Sequence, residues 1–265
     1  MFSKMVTPVW EVITSVQNDL VRSFCKLKEK KYRNIEQRFI VEGYHLVEEA
    51  YRAKQLEVVL SRNKDILTQY SCVKCYHVTD AIIEKLSNTV HPQPIVGIVR
   101  KKCYDISNIE AILTKATVKL IILDEVKDPG NLGTIIRTAA GLGYDMLCLS
   151  EETVDLYNDK TIRSSQGALF KIPIIRIDLY GLIPLLKREQ VICYGTSLQQ
   201  AIDVRKVFKP KRFALCFGNE AHGVREPVLR LMDQNIQLSM HRDVESFNVM
   251  VASSIVMYEF IRNEE

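Results

Sequence analysis

The chain has 265 residues, 47% of them apolar, and carries 36 Lys and Arg against 32 Asp and Glu. This length allows two domains of ordinary size, each with its own core. No apolar run reaches the ~20 residues of a membrane-spanning helix, and the N-terminus lacks the apolar stretch of a secretory signal. We therefore expect no membrane-spanning helix and a cytoplasmic protein.

The first hundred residues predict a small α/β domain, because short strands and helices alternate along them. Apolar residues at four-residue spacing, from Val12 to Phe24, predict a helix over residues 10–35. Cys72 and Cys75 form a C-x-x-C pair, but a metal site needs more ligands than these two, so we expect ordinary strand residues and no metal. Further strands are expected at 39–43, 56–60, 75–79 and 95–99, and further helices at 44–54 and 81–86.

Positive charge is concentrated in one stretch of this domain. Residues 22–38 hold seven Lys and Arg and two Glu, a net charge of +5, which equals the whole excess of residues 1–116. A local basic cluster suits a phosphate backbone, although a solvated helix face is the alternative. The candidate nucleic-acid-binding residues are Arg22, Lys26, Lys28, Lys30, Lys31, Arg33 and Arg38.

The second half of the chain alternates more strongly between apolar strands and helices. Apolar runs bounded by turns, with helices between them, predict a largely parallel and buried sheet. We therefore divide the chain into a first domain, 1–100, a linker, 101–116, and a second domain, 117–265. Strands are expected at 119–124, 145–149, 172–176, 191–195, 213–217 and 236–240, and helices at 131–142, 158–164, 179–188, 226–232 and 246–262.

Three predicted strands of this domain each run into a polar turn. The stretches that contain these turns are residues 123–133, 215–223 and 245–252, the last of which follows the extended run 236–240. Because the carboxyl ends of parallel strands meet at one edge of a sheet, these turns are expected to form one crevice. Ser246 stands where the N-cap of the last helix is expected.

Two helices of the second domain carry further signals. Arg137 falls among small residues on one face of the helix that follows Gly130, where a ligand can approach closely, although pairing with a surface carboxylate is the alternative. The last helix is apolar nearly all round, so it must be covered on every side. We therefore predict a homodimer with this helix in or near the interface.

The three turns resemble the motifs of a known family. Residues 131–139, 217–223 and 238–252 are similar, in order and spacing, to the motifs of the SpoU (TrmH-like) RNA ribose 2′-O-methyltransferases of the SPOUT class. Residues 31–43 resemble the family's appended L30e-like RNA-binding domain. The resemblance implies a SPOUT-type α/β domain with a trefoil knot, preceded by a small L30e-like α/β domain. It also implies S-adenosylmethionine (AdoMet) as methyl donor and RNA, more often ribosomal than transfer RNA, as substrate.

The resemblance also implies the site residues. Backbone groups around Gly218, Leu238 and Phe247 are expected to hold the donor. Arg137 is expected to activate the 2′-hydroxyl, and because a guanidinium stays protonated, we interpret it as gripping a phosphate and polarising the hydroxyl. The remaining catalytic candidates are Asn131, Asn248, Ser246 and Glu220. Asn131 and Asn248 would orient Arg137 or the ribose, and Ser246 would order the third turn. Glu220 would either pair with Arg137 or fix its own loop.

Four positions depart from the family pattern. Ser239 replaces a usual proline, Arg242 a glycine, Ala221 a glycine and Phe247 a leucine. Those at 239, 242 and 247 are expected to reshape the donor pocket. Two other function classes stay open: a non-catalytic ribosome-binding or assembly protein that retains the fold, and a nucleotide-binding enzyme that acts on a small molecule.

Overall fold

The computed structural model describes residues 10–241, 243 and 246–262. It divides into two compact units, Met1–Lys102 and Cys103–Glu265. Residues 103–116, which we predicted as linker, belong to the second unit because Ile109, Ile112 and Leu113 are buried in its core. Arg242, which we expected to reshape the donor pocket, lies outside the described residues.

The first unit is an α/β domain, as predicted. Its described strands form a sheet in the order β1-β4-β3-β5-β2, in which β5 runs antiparallel to both of its neighbours. The strands are β1 (Glu11–Ile13), β2 (Arg38–Glu42), β3 (Leu56–Ser61), β4 (Lys74–Val78) and β5 (Ile95–Arg100). The helices are α1 (Asp19–Lys26), α2 (Lys30–Glu36), α3 (Tyr44–Arg52), α4 (Lys64–Leu67) and α5 (Asp80–Leu86).

The helix predicted over residues 10–35 is wrong at its start and in its middle. β1 pairs with β4 in parallel, with Val12 opposite His77. Asn18 then begins α1, because its side chain accepts a hydrogen bond from the Leu20 amide at 2.9 Å. The chain turns again after Lys26 before α2 begins. Both cysteines of the C-x-x-C pair were expected in a strand, but only Cys75 lies in β4, whereas the exposed Cys72 precedes that strand.

The second unit contains a parallel sheet, as predicted. The described strands lie in the order β10-β12-β9-β11-β6-β7-β8, with every pairing parallel. The strands are β6 (Val118–Leu123), β7 (Met146–Leu149), β8 (Ile174–Arg176), β9 (Ile192–Thr196), β10 (Ile202–Asp203), β11 (Arg212–Phe217) and β12 (Gln234–Gln237). The helices are α6 (Ile106–Leu113), α7 (Pro129–Gly141), α8 (Asp159–Ser165), α9 (Leu179–Arg188), α10 (Glu226–Leu229) and α11 (Val249–Ile261).

Apolar side chains cover both faces of this sheet. Alternate residues of β6 and β11 face one of two cores, so these strands read as continuous apolar runs. One core contains α7 and α11, and the other contains α6 and α9. α7 also lies directly on α8, because a Cβ on Gly133 would stand only 2.5 Å from the Thr161 carbonyl oxygen.

The strand order places β12 between β10 and β9, so the last strand enters the interior of the sheet. The trefoil knot itself stays an expectation from the resemblance.

In the part of the chain that the structure describes, no helix has the length and apolar character needed to cross a membrane.

Candidate active site

Glu220 joins two of the three turns. It lies after β11, and its carboxylate accepts hydrogen bonds from the Lys127 amide at 3.2 Å and the Asp128 amide at 3.1 Å, both in the turn after β6. The same carboxylate accepts from Asn131 Nδ2 at 2.9 Å. Glu220 therefore fixes the loop and does not pair with Arg137, which was the other role predicted for it.

The environment of Glu220 stabilises its charged form. Burial alone would raise the pKa of this carboxyl, but hydrogen bonds from Asn131 and from the amides of Glu220 itself, Asp128 and Lys127 outweigh it. The resulting pKa lies below its ordinary value. At neutral pH Glu220 is thus an acceptor that holds the two turns together, and the geometry does not suit a proton donor.

Asn131 extends this contact to the third turn. It is buried in the first turn of α7, and its Oδ1 accepts from Asn248 Nδ2 at 3.4 Å. Asn248 is also the N-cap of α11, because its Oδ1 accepts from the Met250 amide at 2.8 Å. The predicted cap at Ser246 is therefore wrong: the last helix begins at Val249, and Ser246 lies in the turn before it.

Arg137 lies on the exposed side of α7, on the same helix as Asn131. Within the described residues its guanidinium has no hydrogen-bond or ion-pair partner, in contrast to the salt-bridge alternative. The next residue, Thr138, contacts Ser254 of α11 through their hydroxyls at 3.3 Å. Arg137 is therefore held by its helix on a surface next to α11, with its charge available to a ligand.

A cavity of about 770 Å³ opens at the carboxyl ends of β11, β9 and β12. This volume falls in the range of small-molecule sites. Gly218, Leu238, Phe247, Ser246 and Glu220 all line it. The three residues predicted to hold the donor thus share one cavity, whereas Arg137 and Asn131 do not line it.

The backbone at Gly218 forms one wall of the cavity. A Cβ at this position would stand 2.0 Å from the carbonyl carbon of Gly223 and 2.1 Å from the amide nitrogen of Val224. Asn219 and Gly223 exchange backbone hydrogen bonds of 2.9 Å, which close the turn after β11 on itself. Only glycine lets the two backbone segments approach this closely.

The cavity suits a nucleoside-like donor. One side is lined by apolar residues of β12, the turn after it and α11, including Ile236, Leu238 and Ala252, and the other by the polar turn after β11. Apolar walls with a few polar groups fit a purine and its ribose. Gly218, Leu238 and Phe247, the residues predicted to hold the donor, all contribute to these walls.

An ion pair at the edge of this cavity was not predicted from the sequence. Asp124, fully buried at the end of β6, accepts from the Arg225 amide at 2.9 Å and pairs with its guanidinium at 2.7 Å. Arg225 lines the cavity and follows the second turn. The available signal was Asp124 itself, because a carboxylate directly after a buried apolar strand needs a cation.

Ser239 shows how one departure from the family pattern is accommodated. Its hydroxyl donates to the carboxylate of Asp203, which also accepts from the Arg205 amide and guanidinium. The turn after β12 is therefore tied to the end of β10, a bond that a proline could not make.

The basic residues of the first unit differ in their availability. Arg33 is buried and donates to the carbonyls of Leu27 at 2.9 Å and Lys28 at 2.6 Å, so it has a structural role rather than the predicted RNA contact. Arg38 pairs with Glu57 at 2.6 Å. The other members are placed as follows: Lys28 donates to the Ser87 carbonyl, Arg22 pairs with Asp19, Lys26 and Lys31 lie over the Tyr32 ring, and Lys30 is exposed.

The chain is similar to RNA methyltransferases along nearly its whole length. Residues 119–258 match the model of the SpoU rRNA Methylase family, and residues 18–97 match that of the MRM3-like substrate binding domain. The 23S rRNA (guanosine(2553)-2′-O)-methyltransferase RlmP of Bacillus subtilis is 35% identical over 249 residues, which cover 93% of this chain and 97% of that protein.

Solved structures of methyltransferases have the same fold as this chain. The AdoMet-bound rRNA methyltransferase from Sinorhizobium meliloti has a TM-score of 0.87 at 27% identity, covering 95% of this chain and 97% of its own. The SpoU methyltransferase AviRb from Streptomyces viridochromogenes shares the fold, with a TM-score of 0.85 at 21% identity and coverage of 94% and 98%.

Proposed function

This chain belongs to the SpoU rRNA methylase family, and from that premise we propose that it methylates a ribose 2′-hydroxyl of 23S rRNA with AdoMet as donor. One observation carries the proposal most: the three family turns are bonded through Glu220 and Asn131 beside a cavity lined by Gly218, Leu238 and Phe247. The choice of 23S rRNA over tRNA is supported by the Bacillus subtilis relative.

Bound AdoMet supplies a methyl group on a positively charged sulfur, which is already activated for transfer. The protein must then align the 2′-hydroxyl, exclude water and accommodate the departing proton. Arg137 is the available cation for this task. We assign its guanidinium to a phosphate next to the reacting ribose. In that position its N–H donors also polarise the 2′-hydroxyl.

The bonded turns preorganise this arrangement. Glu220 holds the first turn of α7, and Asn131 and Asn248 fix that turn against the start of α11. Arg137 lies about 1.7 helical turns beyond Asn131 on the same helix. The network therefore sets the position of Arg137 without contacting it, so Glu220 and Asn131 serve as positioning residues.

The function is tested by methyl transfer from labelled AdoMet to unmodified 23S rRNA and, in parallel, to tRNA. We expect incorporation into 23S rRNA only, at one ribose whose 3′ linkage becomes resistant to alkali. The first position to map is the counterpart of the guanosine on which the Bacillus subtilis relative acts. Donor binding without transfer to any RNA would instead favour the non-catalytic alternative.

We also propose that the protein acts as a homodimer through α11. This helix buries Val256, Met257 and Phe260 but exposes Val251, Ile255 and Tyr258, which recur at four- and three-residue spacing along one face. The exposed fractions are 37%, 40% and 58%. A continuous apolar helix face of this kind is typical of subunit interfaces.

Replacing Ile255 with lysine is therefore expected to convert a dimer to a monomer, because a charge would be buried at the centre of the interface. Sedimentation velocity of the wild type and variant measures this directly. Ile106→Lys provides the control, since Ile106 is exposed to 45% at the start of α6. A wild-type protein that sediments as a monomer at micromolar concentration would contradict the proposal.

A further inference from the structure

A basic loop with an exposed aromatic residue follows β10 in the second unit. Residues 203–212, here called the 203–212 loop, contain five Lys and Arg and one Asp, a net charge of +4, around Phe208. Phe208 is 72% exposed, although Val204 and Val207 on the same loop are buried in the core. Burying Phe208 is thus not part of what stabilises this unit.

Two contacts anchor this loop to the rest of the unit. The Tyr194 hydroxyl donates to the Phe208 carbonyl at 2.7 Å. Lys209 pairs with Glu259 of α11 at 3.2 Å, and both side chains are mostly buried. The Phe208 ring is therefore presented to solvent on a fixed backbone, and a ligand that binds it has little chain to order.

The charges of the loop divide into structural and available ones. Arg212 donates to the carbonyls of Leu113, Lys115 and Glu189, and Lys209 is used in its buried pair. Lys206 and Lys211 are exposed, and among the described residues neither side chain has a partner. The exposed surface of the loop therefore carries two cations that no described residue neutralises.

We propose that the 203–212 loop is a second RNA-contact surface, in which Phe208 stacks on an unpaired base while Lys206 and Lys211 bind the flanking phosphates. This rests on the proposed function, which makes RNA the substrate. Stacking on an aromatic ring with nearby cations is the common mode of binding single-stranded RNA. The charge favours a polyanion over a second copy of this chain, whose own net charge is +4.

The loop is connected to the donor cavity. Asp203, its first residue, pairs in β10 with Gln237 of β12 and accepts a hydrogen bond from Ser239. Leu238, between those two residues, lines the cavity. Only the Asp203 end of the loop lies beside the donor turn, whereas Lys211 lies at the amino end of β11, where its carbonyl accepts a hydrogen bond from the Val118 amide. RNA held along the loop therefore contributes affinity without entering the cavity.

The test measures dissociation constants of the full-length protein for unmodified 23S rRNA, at several salt concentrations. We expect Phe208→Ala and Phe208→Leu to weaken binding by about 10-fold, since stacking on one base is lost, and Phe208→Tyr to retain it. Lys206→Ala and Lys211→Ala should each lower the salt slope by about one. Ile106→Ala and Arg188→Ala, both exposed positions outside the loop, are the matched controls.

The outcomes separate this inference from the function. Tight, salt-dependent binding by the wild type with unchanged affinity in Phe208→Ala would overturn the inference alone. A wild type without RNA affinity would overturn both. Weaker self-association of Phe208→Ala in sedimentation, with unchanged RNA affinity, would identify the surface as a protein interface and would also overturn the inference.

Discussion

Replacing Arg137 with alanine is expected to lower the rate of methyl transfer by at least about 100-fold, a loss typical of removing one preorganised donor from a transition state. The guanidinium has no partner among the described residues, so its removal leaves no buried group unsatisfied. Fold and donor binding should therefore persist. Single-turnover transfer from labelled AdoMet, calorimetric titration of AdoMet and thermal unfolding measure the three quantities separately.

Two further variants sharpen this prediction. Arg137→Lys keeps the charge but loses the fork of donors, so we expect it to recover only part of the rate. Arg188→Ala removes an arginine of comparable exposure on α9 and should change nothing. A rate for Arg137→Ala within a few-fold of the wild type would show that another group polarises the hydroxyl, and the assignment of Arg137 would fail.

The strands of the second unit could be predicted closely because their physical signal is local. β6, β7 and β11 are apolar on both faces, so their burial shows directly in the sequence, and their observed bounds differ from the predicted ones by one residue. β1 could not be predicted in this way. It has three residues and exists because it pairs with β4, a distant partner that apolar spacing does not indicate.

The sequence predicted which residues form the candidate active site, but it did not predict the hydrogen bonds between them. The turns containing Glu220, Asn131 and Asn248 converge as expected, but the sequence left two roles for Glu220 and placed the helix cap at Ser246. Hydrogen-bond geometry decides such choices, and it depends on positions of a few tenths of an ångström. Arg225 was missed for the same reason, because its buried partner Asp124 lies 101 residues away in the chain.

Surface charge was the least predictable property. Arg33 belongs to the basic stretch that was predicted to bind RNA, yet it is buried and bonded to two carbonyls. The basic stretch from Arg205 to Arg212 was not predicted to bind RNA, yet it carries exposed lysines. A count of charges cannot separate the two cases, because the fold decides which side chains reach solvent. The same holds for α11. Its apolar sequence predicts that other residues cover it on every side, but only the structure shows which face the described residues of its own chain leave exposed.

Replacing Gly218 with alanine is expected to weaken AdoMet binding by about 100-fold or more and to lower the free energy of unfolding by about 1–3 kcal/mol, as overpacking of a core does. The added Cβ would stand 2.0 Å from the Gly223 carbonyl carbon. Its nearest neighbours are backbone atoms, which cannot rotate away as the end of a side chain can. The turn after β11 must therefore move, and with it the cavity wall.

The control for Gly218→Ala is Gly141→Ala at the end of α7, because nothing lies within 4 Å of a Cβ built there. Alanine favours a helix over glycine by up to about 1 kcal/mol, so this variant should be as stable as the wild type or slightly more so. Titration of AdoMet into both variants, with thermal unfolding of each, decides the matter. Wild-type donor affinity in Gly218→Ala would mean that AdoMet does not depend on this wall, and the donor site would have to be placed elsewhere in the second unit.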